Sequence, residues 1–139
     1  MPTKMQRIAV VTGGGSGIGA AVAHALAGDG WTVVLAGRRR AALEAVVASG
    51  SGLTGVLDAI PTDVTDEASV RSLFEITVQR YGRVDLLFNN AGTGAPSVDI
   101  DDLELEGWNK VLAVNLTGAF LCTREAFRAM RQQQPRGGR

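Results

Sequence analysis

The stretch Thr12-Gly13-Gly14-Gly15-Ser16-Gly17-Ile18-Gly19 decides how this chain folds. It follows the β-branched run Ile8-Ala9-Val10-Val11 and leads into a helical pattern. In that pattern apolar residues recur three or four positions apart, at Ile18, Ala21, Val22, Ala25 and Leu26. A strand, a glycine-rich turn and a helix in this order are typical of a loop that binds the phosphates of a dinucleotide. A tight connection with no ligand is the alternative, and we favour nucleotide binding.

The glycines of this stretch are spaced as G-x-x-x-G-x-G, in contrast to the commoner G-x-G-x-x-G. Gly13 lets the chain turn sharply off the strand, where a Cβ atom would clash. Gly17 leaves room for a pyrophosphate against bare backbone, and Gly19 lets the helix lie close to the sheet. The first N–H groups of the helix have no carbonyl partners and carry the positive end of its dipole. A phosphate group therefore fits there.

Composition indicates one folded domain over residues 1–139. Apolar residues make up 45% of the chain and charged residues 20%, which is ordinary for a globular protein, so we do not expect disorder. The 14 basic and 14 acidic side chains cancel. No overall field therefore draws the chain to nucleic acid or to an anionic membrane. No apolar run has the length of a membrane helix, and the polar lead-in at residues 1–6 is expected to be loose.

Cys122 is the only cysteine. This count excludes an intrachain disulfide and a cysteine-based metal site, and we expect no metal. Because Cys122 lies within a helical pattern, we expect a small buried side chain, which suits a reducing compartment. The sequence therefore predicts a cytoplasmic protein.

Strands and helices alternate along the whole chain. We expect strands at residues 7–11, 31–36, 56–60 and 84–88. We expect helices up to residue 27, at 40–48, after a cap at Thr65 or Asp66, and from about residue 105. The third of these helices would turn its apolar stripe inward, namely Val70, Leu73, Phe74, Thr77 and Val78. This alternation predicts an α/β fold with a doubly wound, Rossmann-like parallel sheet of strand order 3-2-1-4, whose ligand crevice lies at the carboxyl ends of the strands.

Basic residues follow the second expected strand. An acidic side chain about 20 residues after the glycine loop would bind the ribose hydroxyls of NAD. This chain instead has Gly37, Arg38 and Arg39 there. A guanidinium group matches the geometry and charge of a 2′-phosphate, so we favour NADP over NAD. The alternative is that both arginines only open the next helix on its solvated side.

Polar residues also follow the third and fourth strands. Asp63 could accept a hydrogen bond from an adenine amino group, and a loop or capping role is equally compatible with its spacing. Asn89-Asn90-Ala91-Gly92 forms a tight turn that can present backbone to a ligand. Asn115 falls on the apolar stripe of the last helix. A buried amide there would need hydrogen-bonding partners, as structural glue or as active-site scaffolding.

Four motifs together resemble the short-chain dehydrogenase/reductase family. They are Thr12-Gly13-x-x-x-Gly17-x-Gly19, Asp63-Val64, Asn89-Asn90-Ala91-Gly92 and Asn115, in this order and spacing. The resemblance extends from about residue 7 to the end of the chain and implies hydride transfer between a nicotinamide and a carbonyl/alcohol pair of a small molecule. Each motif alone is weakly specific, whereas the set is highly specific.

The resemblance also implies roles for individual residues. The pyrophosphate would lie on the loop from Gly13 to Gly19, beside Ser16 and Ile18. The rest of the cofactor would lie along residues that follow the later strands, with Arg38 and Arg39 at the 2′-phosphate, Asp63 and Val64 at adenine, and Asn89, Ala91 and Gly92 along the ribose and the path of the cofactor. Asn115 matches the asparagine of the family's Asn-Ser-Tyr-Lys tetrad, where it helps to hold a water in a proton relay.

The rest of that tetrad is missing. Tyr81 is the only tyrosine and is followed four residues later by Asp85 in place of lysine, and no serine occurs after Ser97. We therefore expect an incomplete sheet, the amino-terminal half of a longer domain, with an uncovered apolar edge at the fourth strand. Such a chain would be marginally stable, a homo-oligomer or a remnant. Its function would be the cofactor half of an NADP-dependent oxidoreductase, inactive alone. The alternative is a non-catalytic module that binds dinucleotide or pairs with another subunit.

Overall fold

Four parallel strands form the centre of the fold. The computed structural model describes residues 5–139, so most of the expected lead-in lies outside the described residues. The strands are β1 (Ile8–Thr12), β2 (Thr32–Gly37), β3 (Val56–Pro61) and β4 (Leu86–Phe88), in the order β3-β2-β1-β4. The predicted order is confirmed. The register pairs Val10 with Val34 on one side and with Leu87 on the other.

Helices cover both faces of this sheet. They are α1 (Gly17–Gly28), α2 (Arg40–Ser49), α3 (Glu67–Tyr81), α4 (Leu105–Leu112) and α5 (Gly118–Gln132), with a 3-10 turn at Ile100–Asp102 and a π-helical segment at Ala113–Thr117. Val11 and Leu35 pack against α1 and α2, whereas Val10 and Val34 pack against α3 and α5. Successive strand residues point to opposite faces, so the two clusters are the two cores of a doubly wound sheet.

The buried face of α1 differs from the expected stripe. Three of the five apolar positions of that stripe are exposed, namely Ile18, Ala21 and Ala25. The buried positions of α1 are the small residues Gly19, Ala23 and Ala27. The prediction was wrong there because the helix approaches the sheet so closely that only small side chains fit between them.

Most of the other predictions about caps and buried residues are confirmed. Asp66 caps α3 by accepting a hydrogen bond from the N–H of Ser69 at 3.2 Å, as expected. Four of the five inward positions of α3 are buried, whereas Val78 is 38% exposed and was wrongly predicted. Cys122 is fully buried as predicted, and burial raises the pKa of its thiol to about 11.

The fourth strand is two residues shorter than expected. Asp85 begins the pairing with β1 through a side chain, because its Oδ2 accepts the N–H of Ile8 at 2.9 Å. Arg83 in turn holds this carboxylate with two guanidinium nitrogens. Val84 pairs with the side-chain amide of Gln133 through both its N–H and its carbonyl. Side chains thus supplement the backbone ladder at the start of β4, where the N–H of Asp85 also donates to the carbonyl of Ile8 at 2.8 Å.

The free edge of β4 is partly covered, which corrects the expectation of an uncovered edge. The N–H of Leu87 donates to the carbonyl of Arg139 at 2.8 Å, and the N–H of Arg139 donates to the carbonyl of Asp85 at 2.9 Å. The Gln133 side chain also donates to the carbonyl of Gly137 at 2.9 Å, which holds the tail in place. Two backbone bonds therefore satisfy part of an edge that would otherwise be open to other chains.

Candidate functional site

One cavity lies where the carboxyl ends of the strands meet the beginning of α1. Its volume is about 470 Å³, which lies in the usual range for small-molecule sites. Eight of the thirteen residues that the sequence proposes for the site line it, namely Gly13, Ser16, Arg38, Arg39, Asp63, Val64, Ala91 and Gly92. The remaining lining residues are Gly15, Gly37, Ala42, Leu43, Thr62, Thr93 and Val114. This is the crevice that a doubly wound sheet offers to ligands.

The glycine-rich loop has the backbone shape that its sequence requires. Gly13 and Gly17 adopt positive φ angles of 63° and 53°, a region that favours glycine. A Cβ atom at Gly17 would meet nothing within 4 Å, so open space borders the loop there. A Cβ atom at Gly19 would clash with the carbonyl oxygen of Gly13. Gly19 therefore lets the first turn of α1 fold directly over the loop.

The amino terminus of α1 is suited to an anion. Ser16 occupies the cap position in extended backbone, yet its hydroxyl makes no capping hydrogen bond, and the first turn contains no acidic residue. The first turn of the helix thus offers no carboxylate to accept hydrogen bonds from its first N–H groups or from the Ser16 hydroxyl. A phosphate would bind to these donors and to the positive end of the helix dipole.

Two arginines stand at the rim of the cavity. Arg38 and Arg39 are exposed, and within residues 5–139 neither forms an ion pair, whereas Arg40 pairs with Glu44 at 3.6 Å. Arg40 also lies outside the cavity lining. Among the described residues, two guanidinium groups at the cleft thus have no ion-pair partner, whereas the third, that of Arg40, has one on α2.

Asp63 fulfils the loop role that the sequence left open. Its Oδ1 accepts the hydroxyl of Thr65 at 2.7 Å and the N–H of Thr65 at 2.9 Å. The Thr65 hydroxyl, then the Thr65 N–H and the nearby charge of Arg38 hold the pKa of this carboxyl below its usual value. Asp63 therefore stays anionic at neutral pH. A role at adenine stays a prediction, as it does for Val64, which is 8% exposed.

Thr12 and Asn90 fasten the turn after β4 to the glycine loop. The Thr12 Oγ1 accepts the N–H groups of Asn90 and Ala91, each at 3.0 Å. The Asn90 side chain donates to the carbonyl of Gly13 at 3.3 Å. Both residues belong to the sequence motifs, which assign neither of them a role of its own. A hydroxyl at the last position of β1, beside an amide-rich turn on the neighbouring strand, is the signal that predicts this link.

Asn89 points away from the cavity. Its Nδ2 donates to the hydroxyl of Thr123 at 3.0 Å and lies 3.5 Å from the carbonyl oxygen of Ala119, both on α5. Gly17, Gly19 and Ile18 also lie outside the lining, and Ile18 is 71% exposed. The roles proposed for these four residues at a cofactor stay predictions.

Asn115 is exposed, contrary to the expectation of a buried amide on the stripe of a regular helix. It lies in the π-helical segment, and its side chain binds the backbone of Thr93 twice. Its Oδ1 accepts the N–H of Thr93 at 2.7 Å, and its Nδ2 donates to the Thr93 carbonyl at 3.0 Å. Asn115 lies outside the cavity lining, whereas its neighbour Val114 and Thr93 belong to it. The observed geometry therefore makes Asn115 a residue that positions the cavity wall.

A metal-binding cluster and a membrane-spanning helix are both absent from the part of the chain that the structure describes. Between residues 5 and 139 no three His, Cys, Asp or Glu side chains come together in a way that could hold a metal ion. None of the helices described combines the length and apolar character needed to cross a bilayer.

Comparison with known proteins identifies relatives over nearly the whole chain. The family model for short chain dehydrogenases matches residues 7–139. A 3beta-hydroxysteroid dehydrogenase of Mediterraneibacter gnavus is 38% identical over 133 residues, which cover 96% of this chain and 47% of that protein. The chain thus spans about half the length of the curated relatives that it matches.

Solved structures share the fold to a similar extent. An NAD+-bound xylitol dehydrogenase has a TM-score of 0.89 and 33% identity, covering 97% of this chain and 52% of that chain. A metagenomic short-chain oxidoreductase in complex with NADP has a TM-score of 0.88 and 31% identity, covering 97% of this chain and 61% of that chain. With the glycine loop, the cleft and the family match in agreement, this chain belongs to the short chain dehydrogenase family.

Proposed function

We propose that this chain is the cofactor-binding part of an NADP-dependent oxidoreductase that acts on a carbonyl or alcohol group of a small molecule. One observation supports this proposal most strongly. The beginning of α1, with no acidic residue in its first turn, borders the same cavity as Arg38 and Arg39, which form no ion pair among residues 5–139. A ligand that carries a pyrophosphate and a second phosphate on a ribose satisfies both features.

Different parts of the cavity would bind different parts of the cofactor. Backbone N–H groups between Gly13 and Gly19 would bind the pyrophosphate, because no side chain fills the space beside Gly17. Ala91, whose N–H is held by the Thr12 hydroxyl, and its neighbour Gly92 would form the opposite wall along the ribose. A bound nicotinamide would supply the hydride chemistry. The chain's own contribution is to bind and orient that group.

The preference between cofactors depends on the rim arginines. The two related structures contain NAD+ in one case and NADP in the other, so family membership alone is compatible with either. Arg38 and Arg39 would each donate to a 2′-phosphate, for which NAD offers only a hydroxyl. We therefore propose NADP as the preferred cofactor and NAD as the weaker one.

Turnover by the 139-residue chain alone is not expected. The family's Tyr-x-x-x-Lys motif and its serine have no counterpart among these residues. The only tyrosine, Tyr81, donates its hydroxyl to Asp58 at 2.7 Å, and burial together with that bond raises its pKa to about 12. Tyr81 is therefore unsuited to proton transfer near neutral pH and lies outside the cavity lining. A missing general acid costs a factor of about 10²–10⁴ in rate.

A second function is a non-catalytic module that binds dinucleotide or pairs with another subunit. The observation that favours it is a set of large apolar side chains exposed along α4, the π-helical segment and α5, including Trp108, Leu116 and Phe120. Self-association and a cytoplasmic location stay predictions of the sequence. A longer polypeptide that adds the family's serine and Tyr-x-x-x-Lys motif after this chain separates the two functions. It should show NADP-dependent oxidoreductase activity if the first function holds and none if the chain is a non-catalytic module.

Equilibrium titration tests the proposed cofactor preference. We expect the chain to bind NADP at least about tenfold more tightly than NAD, since each charge-assisted bond to phosphate contributes about 1.5–3 kcal/mol. The double variant Arg38→Ala/Arg39→Ala should lose this preference and keep its affinity for NAD. Arg40→Ala is the matched control and should keep the preference, because Arg40 pairs with Glu44 outside the cavity. Equal binding of NADP and NAD by the unmodified chain would contradict the proposal.

A further inference from the structure

Val64 belongs both to the cavity lining and to the hydrophobic core beneath α3 and α5. It lies shortly after β3 and is 8% exposed. It is part of the buried cluster that contains Leu121 and Cys122 of α5, and it also lines the cavity beside Asp63. The position of this side chain therefore depends on α5 and, at the same time, shapes the cavity.

Gly118, the first residue of α5, packs directly against Val64. A Cβ atom at Gly118 would lie 2.8 Å from the Cγ2 atom of Val64, 3.1 Å from its Cβ atom and 3.2 Å from its carbonyl oxygen. Non-bonded carbon atoms pack at about 3.5–4.0 Å. A side chain at position 118 therefore does not fit while Val64 stays in its present place.

The backbone of Gly118 gives no other reason for a glycine. Its φ and ψ angles of −60° and −43° are those of an ordinary right-handed helix, in which alanine is the better helix former. Gly107 in α4 provides a contrast, because a Cβ atom there would come no closer than 3.4 Å to another residue. Close packing against Val64 is thus the feature that requires a glycine at position 118.

The surroundings determine which side would move if position 118 carried a methyl group. The residues of α5 that follow Gly118 are fixed in the core by three buried side chains, namely Leu121, Cys122 and Ala126. Arg124 also forms an ion pair with Glu67 at the start of α3, with 2.5 Å between Nη2 and Oε1. Val64, in contrast, borders an open cavity. Because a packed core resists compression, we expect Val64 to move into the cavity.

Asp63 would move together with Val64. The two residues on either side of Val64 are tied to each other, since the Asp63 Oδ1 accepts both the hydroxyl and the N–H of Thr65. The N–H of Asp63 donates to the Ser69 hydroxyl on α3 at 2.9 Å. This closed turn would transmit a displacement of Val64 to the Asp63 carboxylate, which lines the same end of the cavity.

We propose that Gly118 is a positioning residue for the base end of the cofactor. Its missing side chain sets how deeply Val64 lies in the wall, and so how far Val64 and Asp63 project towards the bound base. The inference rests on the proposed function, which assigns these two residues to adenine. Gly118 itself lies outside the cavity lining and acts only through Val64.

A double-mutant cycle of NADP affinity, measured by isothermal titration on the full chain, tests the proposal. Gly118→Ala should weaken NADP binding at least about tenfold, because Val64 is displaced into the space of the base. In the background of Val64→Ala the same substitution should cost less than about threefold, since the Cγ2 atom that the new methyl group meets is gone.

Two control variants separate positioning from a general loss of stability. Gly107→Ala makes the same exchange within a helix without the close contact and should keep the NADP affinity. Val84→Ala removes fully buried methyl groups before β4, at the end of the sheet opposite to the cavity. It should lower the urea midpoint, yet the folded variant should bind NADP like the unmodified chain.

The outcomes distinguish this inference from the proposed function. If the unmodified chain binds no NADP, the proposed function fails and the inference with it. If the unmodified chain binds NADP and Gly118→Ala binds it equally well, only the inference fails. An equal loss in both Val64 backgrounds also overturns it, as does an equal loss in Val84→Ala.

The cycle stays decisive if Gly118→Ala does not fold. The comparison is then between Val64→Ala and Val64→Ala/Gly118→Ala. A folded double variant that binds NADP within about threefold of Val64→Ala supports the proposal. A double variant that does not fold, or that binds NADP more weakly than this, overturns it.

Discussion

Gly19→Ala is the substitution that probes the glycine loop most sharply. The added Cβ would meet the carbonyl oxygen of Gly13, and it would also lie 2.7 Å from the Asn90 Nδ2. The backbone oxygen has no rotamer by which to move aside, so the loop itself must shift. Overpacking of this kind costs about 1–3 kcal/mol of unfolding free energy, and more where backbone must move.

Gly28→Ala in the same helix is the matched control. A Cβ at Gly28 would meet nothing within 4 Å, and its φ angle is not positive. Replacement of a helical glycine by alanine contributes up to about 1 kcal/mol of stability. We therefore expect the two alanine variants to differ by about 2–4 kcal/mol in urea denaturation. Gly19→Ala should also bind NADP more weakly. Equal stability and equal NADP affinity of the two variants would refute the account of the loop.

Three further predictions concern single hydrogen-bonding residues. Tyr81 is the only tyrosine and its pKa is raised to about 12 by burial and by Asp58, so stability should be fully present below about pH 10 and fall as pH rises towards 12. Near-ultraviolet absorbance should show this titration, and Tyr81→Phe should remove that loss of stability; a tyrosinate signal near pH 10 in the folded chain would disagree. Thr12→Val should cost about 2–4 kcal/mol in urea denaturation, since two N–H groups lose their acceptor. Asn115→Ala should speed amide hydrogen exchange at Thr93 in the folded chain; unchanged protection would show that the Asn115 bonds do not hold the cavity wall.

The fold was predictable from the sequence because its main signals are local. Buried runs such as the first four residues of β1 are apolar at successive positions, and the glycine loop marks the first strand-to-helix turn. The buried side of α1 was not predictable in the same way. Spacing alone does not reveal how closely a helix approaches the sheet, and here close approach selects Gly19, Ala23 and Ala27 over the larger neighbours.

The site was predictable in part for a related reason. Residues that follow the strands, such as Arg38 and Asp63, reach the cavity because parallel strands end at one edge of the sheet. The direction of a side chain within a turn depends on tertiary partners. Asn89 therefore turns to α5 while Asn90 turns to the glycine loop. The π-helical segment was also not predicted, because apolar residues continue through it at ordinary helical spacing. Asn115 lies in this segment, and its side chain donates to the carbonyl of Thr93.

Backbone amide chemical-shift mapping during a titration with NADP tests the central claim most directly. The account predicts that the largest shifts cluster at Gly13–Gly19 and at the rim residues Arg38 and Arg39, with smaller ones at Ala91 and Gly92. Residues of the groove between α3 and α5, such as Glu75 and Arg128, should not move. Shifts concentrated in that groove, or a loop from Gly13 to Gly19 that NADP leaves unperturbed, would contradict the claim that this loop holds the cofactor.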